Sequence, residues 1–340
     1  MSHQFNPIGL YTFLKPFLFL LPPETAHKLS LYSLHWAGSF TVGRNLIQSM
    51  IAPPLDPTSI FGQQVPNRIG MAAGYDKNAL ALRGLEAMGF GHIEVGTITP
   101  QPQPGNPAPR LHRNPKNHTL VNRLGFPSEG MEIVAKRLEH YRNHSANKPH
   151  KVARPLLGIN IGKNKETPND QAFLDYLSCF RRLVDFADYI AINISSPNTP
   201  NLRDLQQKEA LEQLITPLLD ERAKREQHTP LMVKLSPDMH DDQCLECVLQ
   251  LSKLDIEGVI LSNTRRTTSP WSGGLSGVAL HESTLNRVEM IKKEIPHMKI
   301  IASGGIGLDH DVDRFRRAGA DLIQIWTALI YRGPKIMRAL

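Results

Sequence analysis

Residues 189–205, YIAINISSPNTPNLRDL, change character within a few positions. The stretch opens as an apolar, β-branched run of the kind that is buried on both faces of a parallel sheet, then stops in serine, asparagine and proline. Seven further runs share that character: IGMAA (69–73), HIEVGT (92–97), LLGINI (156–161), LMVKLS (231–236), GVILSN (258–263), KIIASG (299–304) and LIQIWT (322–327). Segments with helical periodicity lie between them, among them NALALRGLEAMG, AFLDYLSCFRRLVDFA and HESTLNRVEMIKKEI. Eight strands, each followed by a helix, predict an α/β chain closed into a (β/α)8 TIM barrel. No shorter internal repeat competes with that pattern.

The bulk properties agree with one main domain. A chain of 340 residues with 41% hydrophobic content can bury a barrel core and still carry additions. Its three cysteines, Cys179, Cys244 and Cys247, are too few for a secreted disulfide framework. Cys244 and Cys247 form a C-x-x-C, but they sit in DDQCLECVLQLSKL, an amphipathic helix with no second ligand pair, so packing is expected there and no metal site. The net charge of +7 includes a basic cluster of Lys136, Arg137, Arg142, Lys148, Lys151 and Arg154. No aromatic residues alternate with these cations, which argues against nucleic acid as a partner.

The N-terminus is different in kind. IGLYTFLKPFLFLLPPETAHKLSLYSLHWAGSF is interrupted by Lys15 and Pro16 and broken at Pro22 and Pro23. Its apolar runs are shorter than the roughly 20 residues of a membrane span. Two short helices with a proline hinge are expected, the second carrying Leu29, Tyr32 and Trp36 on one stripe. Such a pair suits a membrane interface or a brace on the barrel. The resulting division is a helical extension over 1–50 and a barrel over 51–340.

Barrel active sites are built at the C-terminal strand ends, and the unusual residues of this chain collect there. Gly304, Gly305 and Gly307 after the seventh strand, with Trp326 and Thr327 after the eighth, suit a phosphate or a tight turn. Asn122, Asn193, Asn198 and Asn263 offer converging amides for a planar ring with alternating C=O and N–H groups, although each taken alone suits a local cap. Lys77 supplies a charge for a carboxylate. Lys234, inside an apolar run, should point into the barrel mouth to stabilise charge on a cofactor ring or to form a Schiff base.

Taken in order, AAGYDKN, IEVGTITPQPQPGNPAPR, NRLGF, GINIGKNKETP, AINISSPNTPNLR, VKLSPD, GGLSG and ASGGI closely resemble the dihydroorotate dehydrogenases, in their membrane-associated, quinone-reducing class. The resemblance covers almost the whole chain, including the helical extension. It implies oxidation of dihydroorotate to orotate on FMN, with electrons passed to a membrane quinone, in pyrimidine biosynthesis. It implies Ser196 as the base that takes the C5 proton; a cysteine at that position marks the soluble class. FMN contacts are implied at Ala73, Gly74, Tyr75, Asp76, Lys77, Thr97, Asn160, Asn193, Lys234, Ser262, Gly277, Gly305, Trp326 and Thr327. Contacts to dihydroorotate or orotate are implied at Lys77, Asn122, Arg123, Leu124, Gly125, Phe126, Asn193, Asn198, Asn263 and Thr264.

With the resemblance, the extension reads as a tunnel for a lipophilic quinone, and His27 and Arg113 become polar candidates to orient its head. Peripheral association with the cytoplasmic face of the cell (inner) membrane and a monomeric chain are the corresponding expectations. This sequence departs from the family pattern at Ser262, where threonine is frequent, at Leu124, where methionine is, and at Trp326 and Thr327, where tyrosine and serine are common. The rivals are an FMN barrel acting on another cyclic imide with a soluble acceptor, and a catalytically silent binding protein attached to a membrane.

Overall fold

The computed structural model describes residues 9–146 and 154–340. Lys148 and Lys151 of the basic cluster, and residues 1–8 of the extension, lie outside the described residues. All eight expected runs are strands: Ile69–Met71, His92–Ile98, Leu156–Ile161, Tyr189–Asn193, Leu231–Leu235, Gly258–Leu261, Lys299–Ser303 and Leu322–Ile325. Each pairs in parallel with the next in sequence, and the eighth returns to the first through Ile323 opposite Ile69, so the barrel closes in chain order.

Alternation along each strand sorts the side chains. Ile190 and Ile192 face the outer core with Phe180 and Leu214, whereas Tyr189 and Ala191 face inward with Met232, Ile260, Ile301 and Leu322. The inner layer is closed at the N-terminal end by a hairpin, Thr58–Ile60 against Gln63–Val65, whose Ile60 and Val65 join that cluster. Continuing the same parity toward the mouth puts Asn193 after Ala191, Lys234 after Met232, Glu94 after His92 and Gln324 after Leu322, all on the interior face. The strand register therefore makes the barrel apolar below and polar above.

Two excursions from the barrel add an antiparallel sheet that sequence periodicity did not reveal. Leu111–Asn114 and Thr119–Asn122 follow the second strand, Arg265–Thr267 and Gly273–Gly277 follow the sixth, and the four pair side by side. These strands are three to five residues long, too short to carry a readable period.

The extension forms three helices rather than the two expected: α1 (Tyr11–Leu20), α2 (Pro23–Ser39) and α3 (Thr41–Ile51). Phe40, extended between α2 and α3, separates what would otherwise be one helix. α2 approaches the Leu82–Ala87 helix at a glycine crossing, where a Cβ on Gly38 would lie 2.5 Å from the Gly84 nitrogen. Phe19 of α1 packs edge-on against Tyr331. The opposite sides remain bare: Phe13, Phe17 and Trp36 are 71–72% exposed. The segment is thus docked on the barrel and also presents an apolar outer face, with Leu29 and Tyr32 of the expected stripe on it.

Cys244 and Cys247 are buried free thiols in the Asp241–Lys253 helix, each raised by burial, as packing residues would be. Arg142 and Arg154 of the basic cluster are consumed by Asp188.

Candidate active site

One cavity occupies the barrel mouth and extends under the antiparallel sheet, with about 1100 Å³ of space not filled by protein, counting its opening. Its wall includes Ser196, Ala73, Gly74, Lys77, Thr97, Asn193, Lys234, Ser262, Gly277, Gly305, Trp326 and Thr327. Asn122, Leu124, Gly125, Phe126, Asn198, Asn263 and Thr264 share that wall. Residues scattered over more than 250 positions meet there because every strand end delivers its loop to the same face.

The four asparagines are held in two pairs. Asn198 Nδ2 donates to Asn122 Oδ1 at 3.0 Å, linking the loop after the fourth strand to the antiparallel sheet. Asn263 Nδ2 donates to Ser195 Oγ at 2.9 Å and to Asn193 Oδ1 at 3.4 Å. Asn193 Nδ2 in turn donates to Thr97 Oγ1 at 2.8 Å. Each amide has its orientation fixed by a neighbour, which is how a site recognises a flat polar ring with little reorganisation.

Ser196 is buried, and its Oγ accepts the Asn198 backbone N–H at 3.2 Å. No histidine or carboxylate hydrogen-bonds it among the described residues, so the arrangement is not that of a serine hydrolase.

Two cations of different standing enter the cavity. Lys234 Nζ lies 3.4 Å from Glu94 Oε1, a pair with side-chain exposures of 5% and 0%. Lys77 donates to the Gly74 carbonyl at 2.5 Å, and burial, helped by Arg110, lowers it to about 8. An ammonium so placed gains from an incoming carboxylate.

Several expected contacts stand behind the wall rather than in it. Asn160 is fully buried, with its amide committed to Glu94 at 2.8 Å and its carbonyl to Thr97 Oγ1 at 2.6 Å. Asp76 caps the Leu80 and Ala81 N–H groups, and Tyr75 hydroxyl meets Ser30 at 2.9 Å. Arg123 points outward, donating to the Pro109 carbonyl. Arg113 binds the carbonyls of Leu18, Phe19 and Leu21, the end of α1, and stacks on Phe19. Among the described contacts it serves as a helix clamp. His27 lies on the cavity side of α2, edge-on to Tyr75 at 5.2 Å and tilted against Trp326 at 6.1 Å. Burial, with Lys77 adding to it, pushes His27 down to about 3, so its ring is neutral.

Sequence reasoning passed over Gln324 and Glu94, both inward-facing polar residues in apolar runs. The signal that singled out Lys234 would have found them, had interior parity been applied to every strand. It also passed over Leu111, Leu120 and Ser276, which line the cavity from the antiparallel sheet.

The comparisons with known proteins agree with this geometry. The family model described as dihydroorotate dehydrogenase matches residues 57–340. A protein named dihydroorotate dehydrogenase (quinone) from Stenotrophomonas maltophilia is 40% identical, with 96% of this chain and 94% of that one aligned. One of the same name from Dichelobacter nodosus is 41% identical, with 96% of each covered. Among solved structures, the ligand-free enzyme of Eimeria tenella superposes with a TM-score of 0.83 at 36% identity, covering 93% of this chain and 92% of that one. Its complex with ferulenol gives 0.81 at 34% identity, covering 93% and 89%. With a closed barrel, a serine set among paired asparagines, and similarity that runs nearly end to end, the chain belongs to the dihydroorotate dehydrogenase family, in its quinone-dependent class.

Proposed function

We propose that this chain oxidises (S)-dihydroorotate to orotate with FMN as hydride acceptor and a membrane quinone as final electron acceptor, in de novo pyrimidine biosynthesis. The observation that carries the reading is the placement of Ser196, two asparagine pairs, Lys77 and Lys234 around one cavity. The alternative of another cyclic imide with a soluble acceptor finds no support in the relatives.

The residues present fit a flavin. A Cβ on Gly74 would meet nothing within 4 Å, so the backbone there faces open cavity that a flat ring can approach. Gln324 Oε1 and Trp326 Nε1 are buried without a partner at the same wall, one acceptor and one donor awaiting a ligand. The residues that would hold FMN are Ala73, Gly74, Thr97, Lys234, Ser262, Gly277, Gly305, Trp326 and Thr327. Bound there, FMN supplies the two-electron acceptor for hydride from C6 of the substrate.

In this reading the protein's own groups do the rest. Asn122, Asn193, Asn198 and Asn263 orient the pyrimidine ring through donors and acceptors already fixed by their pairing. Lys77 balances the carboxylate, and Ser196 accepts the C5 proton as the hydride departs. Lys234 would stabilise negative charge on the cofactor held in the cavity it lines.

The extension, residues 1–50, is proposed as the quinone-tunnel unit on the catalytic barrel, residues 51–340. No helix among the described residues is long and apolar enough to cross a membrane. The bare apolar faces of α1 and α2 support peripheral attachment, proposed at the cytoplasmic face of the inner membrane, with the protein as a monomer. His27 and, beyond its clamp role, Arg113 are the candidates to meet the quinone head.

The purified protein should show a flavin spectrum that dihydroorotate bleaches anaerobically, and quinone rather than fumarate or NAD should restore it. A colourless protein that takes up no added FMN would overturn the reading.

A further inference from the structure

Beneath the cavity lies a carboxylate that touches none of its open space yet holds much of its floor. Glu94 is fully buried on the inward face of the second strand. Its Oε1 accepts from Asn160 Nδ2 at 2.8 Å and faces Lys234 Nζ at 3.4 Å. Its Oε2 accepts from Gln324 Nε2 at 2.7 Å and from the Tyr189 hydroxyl at 3.1 Å. Through Asn160, the order it imposes passes on to Thr97 and Asn193, whose hydroxyl and amide both donate to Asn160 Oδ1. Lys234, Gln324, Thr97 and Asn193 all line the cavity, so one side chain orients four wall groups from the second layer.

The charge arithmetic is as specific as the geometry. Burial alone would push Glu94 up, but Lys234 and the hydrogen-bond donors hold it below the usual carboxylate range. The neighbouring His92 is lowered to about 4 by burial and stays neutral. Glu94 and Lys234 therefore form a buried, oppositely charged couple whose mutual field is weakly screened. The cation presented to the cavity is a partly neutralised one, and its partner decides by how much.

We propose that Glu94 is the positioning residue that fixes Lys234 and attenuates its charge, and so sets how strongly the site favours reduced over oxidised flavin. The proposal rests on the flavin reading above.

The experiment is a spectroelectrochemical titration of the bound flavin in holoprotein carrying Glu94→Gln, beside wild type and Glu94→Asp. Glu94→Gln should shift the equilibrium toward reduced flavin at least about tenfold, a rise of about 30 mV for a two-electron couple. Glu94→Asp, which keeps the charge, should stay near wild type. Lys234→Met and the double variant Lys234→Met/Glu94→Gln complete a cycle. Lys234→Met alone leaves the carboxylate uncompensated and should lower the potential; the double variant should recover most of the loss. If Glu94→Gln does not fold, the comparison of the double variant with Lys234→Met carries the test, because the double variant buries neither charge. Equal potentials for Glu94→Gln and wild type, or for the double variant and Lys234→Met, would overturn the proposal and leave Glu94 a packing residue. Wild-type protein that binds no flavin would overturn the flavin reading itself, an outcome visible before any variant is made.

Discussion

The barrel and the N-terminal helices put their apolar residues to opposite ends. In the barrel, Ile190, Ile192, Val233 and Leu235 are buried on the outer core and the strand alternation leaves the interior for Asn193 and Lys234. In α1 and α2, Phe13, Phe17 and Trp36 stay bare while the glycine crossing and Phe19 do the docking. A soluble domain gains nothing by leaving such side chains in water. The difference fits the reading proposed above, in which dihydroorotate is handled from water at the strand ends and quinone from lipid at the helices, with the Trp326 and His27 rings 6.1 Å apart where the regions meet.

That division can be broken from either side. The largest effect is expected from Ser196→Ala, which should slow anaerobic flavin reduction by about 10²–10⁴-fold while sparing reoxidation by quinone. Stopped-flow absorbance of each half-reaction checks it; equal slowing of both would mean the two are not separable. Phe13→Ser with Phe17→Ser should act in reverse, weakening vesicle binding at least about a hundredfold, since each buried aromatic contributes about 1.5–3 kcal/mol. Flavin reduction should be unchanged, and vesicle co-sedimentation measures the loss.

Lys77 gives a smaller, pH-dependent effect. Its free-site value of about 8 lies below the usual lysine range because burial disfavours the charge, so the ammonium is present below pH 8 and lost above it. Affinity for an anionic substrate should accordingly be highest below pH 8 and fall about tenfold per unit beyond it. Lys77→Met should bind weakly with a flat profile over that window; an alkaline decline that persists in the variant would assign it to another group. The smallest effect should come from Gly38→Ala. The added methyl would crowd the Gly84 backbone, costing about 1–3 kcal/mol and loosening α2. Calorimetry should register the loss, and quinone turnover should drop a few-fold more than flavin reduction.

How much of this was legible depended on period. All eight barrel strands are apolar runs with helices between them, and a run of that kind reads without help. The strand ends then drew attention to Lys77, Lys234 and the asparagines, whereas Ser196 was singled out through the family resemblance. The antiparallel roof escaped because its strands are too short for a period and one of them, Gly273–Gly277, is glycine-rich. Asn160 was expected to touch a ligand, and at the level of sequence nothing separates an amide in the wall from one behind it. The distinction is made by which neighbour claims the amide first, here Glu94, 66 positions away. Arg113 shows the same limit, since its contacts with α1 link residues more than 90 positions apart.

The hairpin that plugs the barrel, with Ile60 and Val65 against Tyr189 and Met232, has an effect on how the protein responds to its medium. Dissolved ions weaken a charge pair only where water can carry them. The pair Arg110 and Glu24, between α2 and the loop after the second strand, is 16% and 26% exposed and lies within their reach. At molar salt, where the screening distance contracts to about 3 Å, that contact and the approach of an anionic substrate should weaken. Lys234 and Glu94 sit above a sealed apolar floor, with side-chain exposures of 5% and 0%, so their mutual attraction should respond to salt far less than that of Arg110 and Glu24.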